Sequence, residues 1–172
     1  ETAVLVALGF ALSYIRFKVV PYGGSITAAS MLPILFIGIR RGLPWGLGGA
    51  IVYSLLEALQ DGALAPPASG IGAYSLMMIL DYLVAFGVLG LSGLFRKKKN
   101  GLLISIPLCL GMRYFSHAVS GVILWGSYAW EGWPVVPYSL AYNATYMVPE
   151  FTITFAAAYV LLKYLPQKYL KD

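Results

Sequence analysis

The sequence predicts an all-α integral membrane protein: six transmembrane helices in a single bundle, with both termini cytoplasmic. Three observations carry this. The 172 residues are 59% hydrophobic and 11% charged, and mean hydropathy is +0.76. A water-soluble domain of that size lacks the polar surface to cover so much apolar area. The apolar residues fall into six runs, and the positive charges fall between them on one side.

A hydrocarbon core of about 30 Å needs roughly 20 apolar residues as helix. The runs are residues 3–20, 26–39, 43–59, 71–95, 102–125 and 138–162. The second is short and carries Pro33. Backbone groups in lipid must be satisfied internally, so the runs read as helices. Barrel-type alternation is absent. Residues 1–172 form a single six-helix transmembrane domain in this reading.

Orientation follows from charge. Arg40 and Arg41, then Arg96, Lys97, Lys98 and Lys99, then Lys163, Lys168 and Lys171 all fall on one side of a six-span plan. The opposite side has Arg16 and Lys18 near a span end, and Asp61 and Glu131 in loops. The positive-inside rule makes the first side cytoplasmic. Outer loops 21–25, 60–70 and 126–137 are rich in Gly, Pro, Tyr and Trp.

Composition also excludes functions. The +5 balance sits in short flanking clusters rather than along a basic face, which argues against nucleic acid. Cys109 is the only cysteine and His117 the only histidine, so neither a disulfide nor a zinc site is expected. Gly46, Gly48 and Gly49 lack a following Lys-Ser/Thr, so they form no P-loop. No cofactor is expected. The first apolar run shows no signal-peptide cleavage site.

Ionisable residues inside spans are costly and therefore informative. On helix five, Arg113, His117, Gly121 and Trp125 recur every four residues and form one stripe. Gly121 leaves a gap between His117 and Trp125 where something flat could lie. On helix four, Tyr74, Met78, Asp81 and Tyr82 share a face; on helix six, Ser139, Asn143, Tyr146 and Glu150 do. The outward half of the bundle thus collects a carboxylate, an imidazole, an amide and phenols beneath aromatic loops. Such a set suits one small, flat, polar and possibly cationic ligand. Each residue also has a structural reading. Asp81 can pair with Arg113 or His117, Asn143 can bridge helices, Trp and Tyr can form an interfacial belt, and Glu150 can satisfy backbone freed by Pro149.

Three segments carry a family resemblance: "RYFSHAVSGVILWGSYAWEGWPVVPYSLAYN" from Arg113, "DYLVAFGVLGLSGLFRKK" from Asp81 and "LPILFIGIRRGLPWGLGGAIV" from Leu32. They resemble the membrane-embedded S components of energy-coupling factor (ECF) vitamin transporters, most closely the thiamine-specific S component. The resemblance implies a high-affinity thiamine binder of the prokaryotic plasma membrane. It captures vitamin from outside, in a cavity lined by helices four to six and covered by loop one. It then works with a transmembrane coupling subunit and two ATPase subunits, toppling in the membrane to release the vitamin. Ligand contacts carried over by motif are Tyr82, His117, Gly121, Trp125, Tyr138 and Asn143, with the acidic contact at Asp81. Tyr74 and Tyr146 join them from the shared helix faces.

This chain departs from the family where Asp81 replaces a Glu and where Gly23-Gly24 replaces a loop-one Trp. Those departures leave room for a related ligand such as hydroxymethylpyrimidine or pyridoxine. The Ala3, Ala7 and Ala11 ridge on helix one permits close helix approach, and the resemblance makes it the docking face for the coupling subunit. Two rival readings stand. One is a proton-coupled permease using Asp81 or Glu150. The other is an intramembrane enzyme using His117 and Asp81 with Ser116 or Ser120 close by; the expectation here is no catalysis.

Overall fold

The structure, a computed structural model, describes residues 1–18 and 24–165. Helix α1 is Thr2–Ser13, α2 is Met31–Arg41 and α3 is Leu43–Asp61. Helix α4 runs Ile71–Phe95, α5 Gly101–Leu124 and α6 Val135–Tyr164. These last three are long and apolar enough to cross a membrane.

Two expected spans are corrected. The first run was expected to be helical over 3–20, but α1 stops at Ser13. Its twelve residues give roughly 18 Å of helix, short of the hydrocarbon thickness. The second run was expected from residue 26, but α2 begins at Met31. Two short strands lie between the helices, so the fold is not purely helical. Strand β1, Arg16–Lys18, pairs antiparallel with β2, Ser25–Thr27, in the register Arg16↔Thr27, Phe17↔Ile26 and Lys18↔Ser25. Phe17 on one strand and Ile26 and Thr27 on the other are aromatic and β-branched residues that favour a ribbon. Apolar content alone could not separate this from helix. Residues 19–23 lie outside the described residues, and with them most of loop 21–25 and Gly23. Lys168 and Lys171 also lie outside them.

Helix α4 is not a uniform α-helix. It passes through a π-helical turn at Met78–Val84 and ends in a 3-10 stretch, Val88–Phe95. The wide turn takes the sequence out of 3.6-residue register. The expected face of Tyr74, Met78, Asp81 and Tyr82 is broken as a result: Met77, not Met78, lines the interior with Asp81 and Tyr82. Ser116 on α5 donates to the Leu80 carbonyl within that turn at 2.6 Å.

The core lies between α2, α3, α4 and α5, with Met31, Ile34, Leu35, Tyr53, Phe86, Leu89, Ile106 and Leu110 buried in it. At one end of the bundle, glycines let backbones touch. A Cβ on Gly90 would sit 2.6 Å from backbone atoms of Gly46 and Leu47, and one on Gly93 would sit 2.5 Å from the Leu43 nitrogen. A Cβ on Gly46 would reach 2.7 Å from the Gly90 carbonyl, and one on Gly38 2.6 Å from the Gly93 nitrogen. Ser92 closes the contact by donating to the Leu35 carbonyl at 2.8 Å. These close approaches join α2, α3 and α4, as small residues do in lipid.

Gly90→Ala is expected to destabilise the detergent-solubilised protein by about 1–3 kcal/mol, because backbone cannot yield as a flexible side chain can. Gly48→Ala, whose Cβ meets nothing within 4 Å, should be neutral or stabilising by about 0.5–1 kcal/mol. Thermal melting of the two variants checks the contrast.

Candidate functional site: an aromatic-capped polar cavity

A cavity of about 370 Å³ opens between α3, α4, α5, α6 and the hairpin. Its size falls within the range of about 300–1,000 Å³ usual for small-molecule pockets.

Asp81 organises one end. The π-helical turn of α4 presents its carboxylate to α5. His117 Nδ1 lies 3.0 Å from Oδ1. Ser120 Oγ donates to Oδ2 at 2.6 Å, and Trp125 Nε1 donates to the same oxygen at 3.3 Å. Arg113 Nε donates to His117 Nε2 at 3.4 Å. That ring nitrogen is therefore the acceptor, and Nδ1–H is the donor toward Asp81. Of the two structural pairings open to Asp81, the one with His117 is formed. Arg113 instead lies over the Phe86 ring, 4.2 Å from its centroid, and its Nη1 points at Met31 Sδ.

Helix α6 supplies the facing wall. Ser139 Oγ donates to the Ala118 carbonyl at 2.8 Å. Asn143 Nδ2 donates to the Ser139 carbonyl at 2.8 Å, and its Oδ1 accepts from the Tyr146 hydroxyl. Gly121 permits this approach: a Cβ there would lie 2.1 Å from Ser139 Oγ and 3.4 Å from Asn143 Nδ2. The space beside Gly121 is thus filled by α6 rather than left as the expected gap.

Rings connect the outer loop to this wall. Trp133 meets Trp130 edge-on, with centroids 5.1 Å apart, and Trp130 meets Tyr138 at 5.2 Å. Tyr138, Tyr142, Tyr146 and His117 follow at successive centroid spacings of 5.7, 6.2 and 6.1 Å. Offset and edge-on ring pairs of this kind fix geometry beyond simple burial.

The other end belongs to α3 and the hairpin. Arg16 on β1 is ion-paired with Asp61, the last residue of α3. Glu150 accepts from the Thr27 amide at 2.6 Å and from the Thr27 hydroxyl. The Thr27 and Ser30 hydroxyls lie 2.8 Å apart, and Tyr53 donates to Ser30 at 2.9 Å. Glu150 therefore anchors the hairpin to α6, instead of satisfying backbone freed by Pro149.

Of the expected site residues, Asp81, Tyr82, His117, Gly121, Trp125, Tyr138, Asn143 and Tyr146 all line the cavity. Tyr74 does not; it is 39% exposed on α4, turned away by the register change. Ser120, a possible nucleophile by spacing, bonds to Asp81 and not to the imidazole. Sequence reading missed Glu57, Asp61, Arg16, Thr27, Ser30 and Phe86, all in the lining. Glu57 was the available signal: a carboxylate within an apolar run. Among the described residues no group of three or more His, Cys, Asp or Glu could hold a metal ion. The Ala3, Ala7 and Ala11 side chains are exposed on α1.

Apolar helices of spanning length around a polar, ring-lined cavity mark a multi-pass membrane protein with a pocket of small-molecule size. Residues 1–170 match the family model for thiamine transporter protein (Thia_YuaJ). The chain belongs to that family, in keeping with its resemblance to thiamine-specific S components. It is 35% identical to the thiamine transporter ThiT of Bacillus subtilis (strain 168), over 89% of this chain and 83% of that one. It is 30% identical to ThiT of Lacticaseibacillus paracasei (strain ATCC 334), over 99% and 89%. A solved structure of ThiT from Listeria monocytogenes superposes with a TM-score of 0.75 at 26% identity, covering 99% of this chain and 95% of that one.

Gly121→Ala should destabilise by about 1–3 kcal/mol by forcing Ser139 off the Ala118 carbonyl. Adding Ser139→Ala should recover more than half of the loss, because the two changes share one contact. A double-mutant cycle read by thermal melting measures this coupling.

Proposed function

We propose that this protein is the thiamine-binding S component of an ECF-type importer, capturing thiamine from outside the cell. In this reading the six helices of residues 1–172 form one substrate-binding domain with both termini cytoplasmic. The observation that supports it best is the Asp81–His117–Trp125 cluster opening on a cavity of suitable size, in a chain of the thiamine transporter family.

The chemistry matches the ligand. A carboxylate offers about four lone-pair sites. Three are used by His117, Ser120 and Trp125. The remaining one suits the exocyclic amino group of an aminopyrimidine. Trp125 supplies a face for stacking, with Tyr82, Tyr138 and Tyr146 around the rest of the ligand. Asn143 positions Tyr146, and Gly121 brings α6 close. Tyr74 is not part of this set.

Release depends on partners: a transmembrane coupling subunit and two ATPase subunits. The exposed Ala3, Ala7 and Ala11 ridge is the docking face. A proton-coupled permease would instead carry thiamine without ATPases.

Two experiments test the reading. Titration of the purified chain with thiamine should quench tryptophan fluorescence saturably, while pyridoxine and riboflavin should not. A saturable response only to another vitamin would refute the ligand. Ala7→Trp should leave thiamine binding intact but abolish uptake when the partner subunits are co-expressed. Retained uptake, or uptake without the ATPases, would refute the docking role.

A further inference from the structure

Asp81 sits in the middle of the single π-helical turn among the described residues, Met78–Val84. Such turns are rare, because their hydrogen bonds skip one residue further than those of an α-helix, and they gather at functional sites. Backbone in an uncommon geometry persists only where its surroundings hold it there.

Helix α5 supplies that hold. Ser116 and Ser120 lie one turn apart on it and share a face. Ser120 donates to Asp81 Oδ2 at 2.6 Å, and Ser116 donates to the carbonyl of the preceding residue, Leu80, at 2.6 Å. The bonds of His117, Ser120 and Trp125 reach only the Asp81 side chain, which turns about its own torsions. The Ser116 bond reaches the backbone from which that side chain springs. Ser116 is 5% exposed. It borders an apolar groove with Leu80, Val84, Phe115 and Val119, and among the residues lining that groove it is the one side-chain hydrogen-bond donor. No other side chain of the groove can serve the Leu80 carbonyl in its place.

The turn decides which residues meet the ligand. A regular α-helix would put Tyr74, Met78, Asp81 and Tyr82 on one face. With the π-turn in place, Met77, Asp81 and Tyr82 line the cavity and Tyr74 does not. Relaxation to α geometry would turn the segments on either side by about 100° relative to one another, one residue's share of a helical turn.

We infer that Ser116 is a positioning residue: by holding the Leu80 carbonyl, its hydroxyl keeps the π-helical turn that aims Asp81 at the ligand. Ser116 is not part of the cavity lining, so it acts through Asp81. The identity of the ligand rests on the thiamine reading above.

The test uses the full chain in detergent and two readouts. The first needs no ligand. The Trp125 indole N–H donates to Asp81, and its proton–nitrogen NMR signal is assigned by its loss in Trp125→Phe. Ser116→Ala should move this signal and leave that of Trp45, at the start of α3, in place. Ser116→Thr, which keeps the hydroxyl, should move neither. The second readout is thiamine affinity. Ser116→Ala should weaken it about tenfold, the scale of one buried hydrogen bond left unmade, and Ser116→Thr less than about threefold on the same scale. Should Ser116→Ala fail to fold, Ser116→Cys, a weak donor of similar size, takes its place in both readouts. An unmoved Trp125 signal would overturn the inference whatever the affinity. So would thiamine binding at wild-type strength in Ser116→Ala, or equal losses in the alanine and threonine variants. Absence of saturable thiamine binding by wild type would instead refute the thiamine reading, with the Trp125 signal still deciding the role of Ser116.

Discussion

A carboxylate within a helical membrane protein must have every oxygen provided for, and the site is built around how Asp81 meets that requirement. Its donors come from His117 and Ser120 on α5 and from Trp125 just beyond it. His117 can donate from Nδ1 because Arg113 occupies Nε2. Arg113 in turn is held against Phe86 of α4. Asp81 therefore ties α4 to α5, sets the imidazole tautomer and orients the indole through one partly buried group. Such networks are worth most when complete, because a partly satisfied one in low dielectric is a liability.

The second anchor works the same way at the other end. Glu150 on α6 holds the Thr27 amide and hydroxyl, and Thr27 and Ser30 extend the chain of hydrogen bonds to Tyr53 on α3. The hairpin is only three residues per strand, too short to be stable alone. Its place over the cavity depends on Glu150 and on the Arg16–Asp61 pair. The cavity is thus bounded by α3, α4, α5 and α6 and by a ribbon fastened at two points.

Much of this was legible in the sequence, for identifiable reasons. The His117, Gly121 and Trp125 stripe survived because α5 is regular helix through Leu124, so fourfold spacing translated directly into a face. Asn143 and Tyr146 were found for the same reason on α6. Tyr74 failed because periodicity assumes 3.6 residues per turn, and the π-helical turn at Met78–Val84 breaks that assumption in the stretch that aims Asp81. The short α1 and the hairpin failed because hydropathy measures apolar content, not backbone geometry. Glu150 was recognised as costly but assigned a local partner. Its actual partner, Thr27, is 123 residues away, a separation no local pattern encodes.

The two ends of the bundle are built from different materials, and the difference has a functional logic. Where α2, α3 and α4 meet, glycines bring backbones into direct contact and leave no room for side chains to rearrange. Around the cavity, α3 and α4 face α5, α6 and the hairpin across a lining of Tyr, Trp, His and carboxylates. Backbone-to-backbone packing is stiff, since it contains no rotamers to adjust. A binding protein in lipid cannot rely on the hydrophobic effect to hold its helices together. Fixing them by close glycine contact at one end lets the other end give up packing density for an open, polar cavity without loosening the bundle.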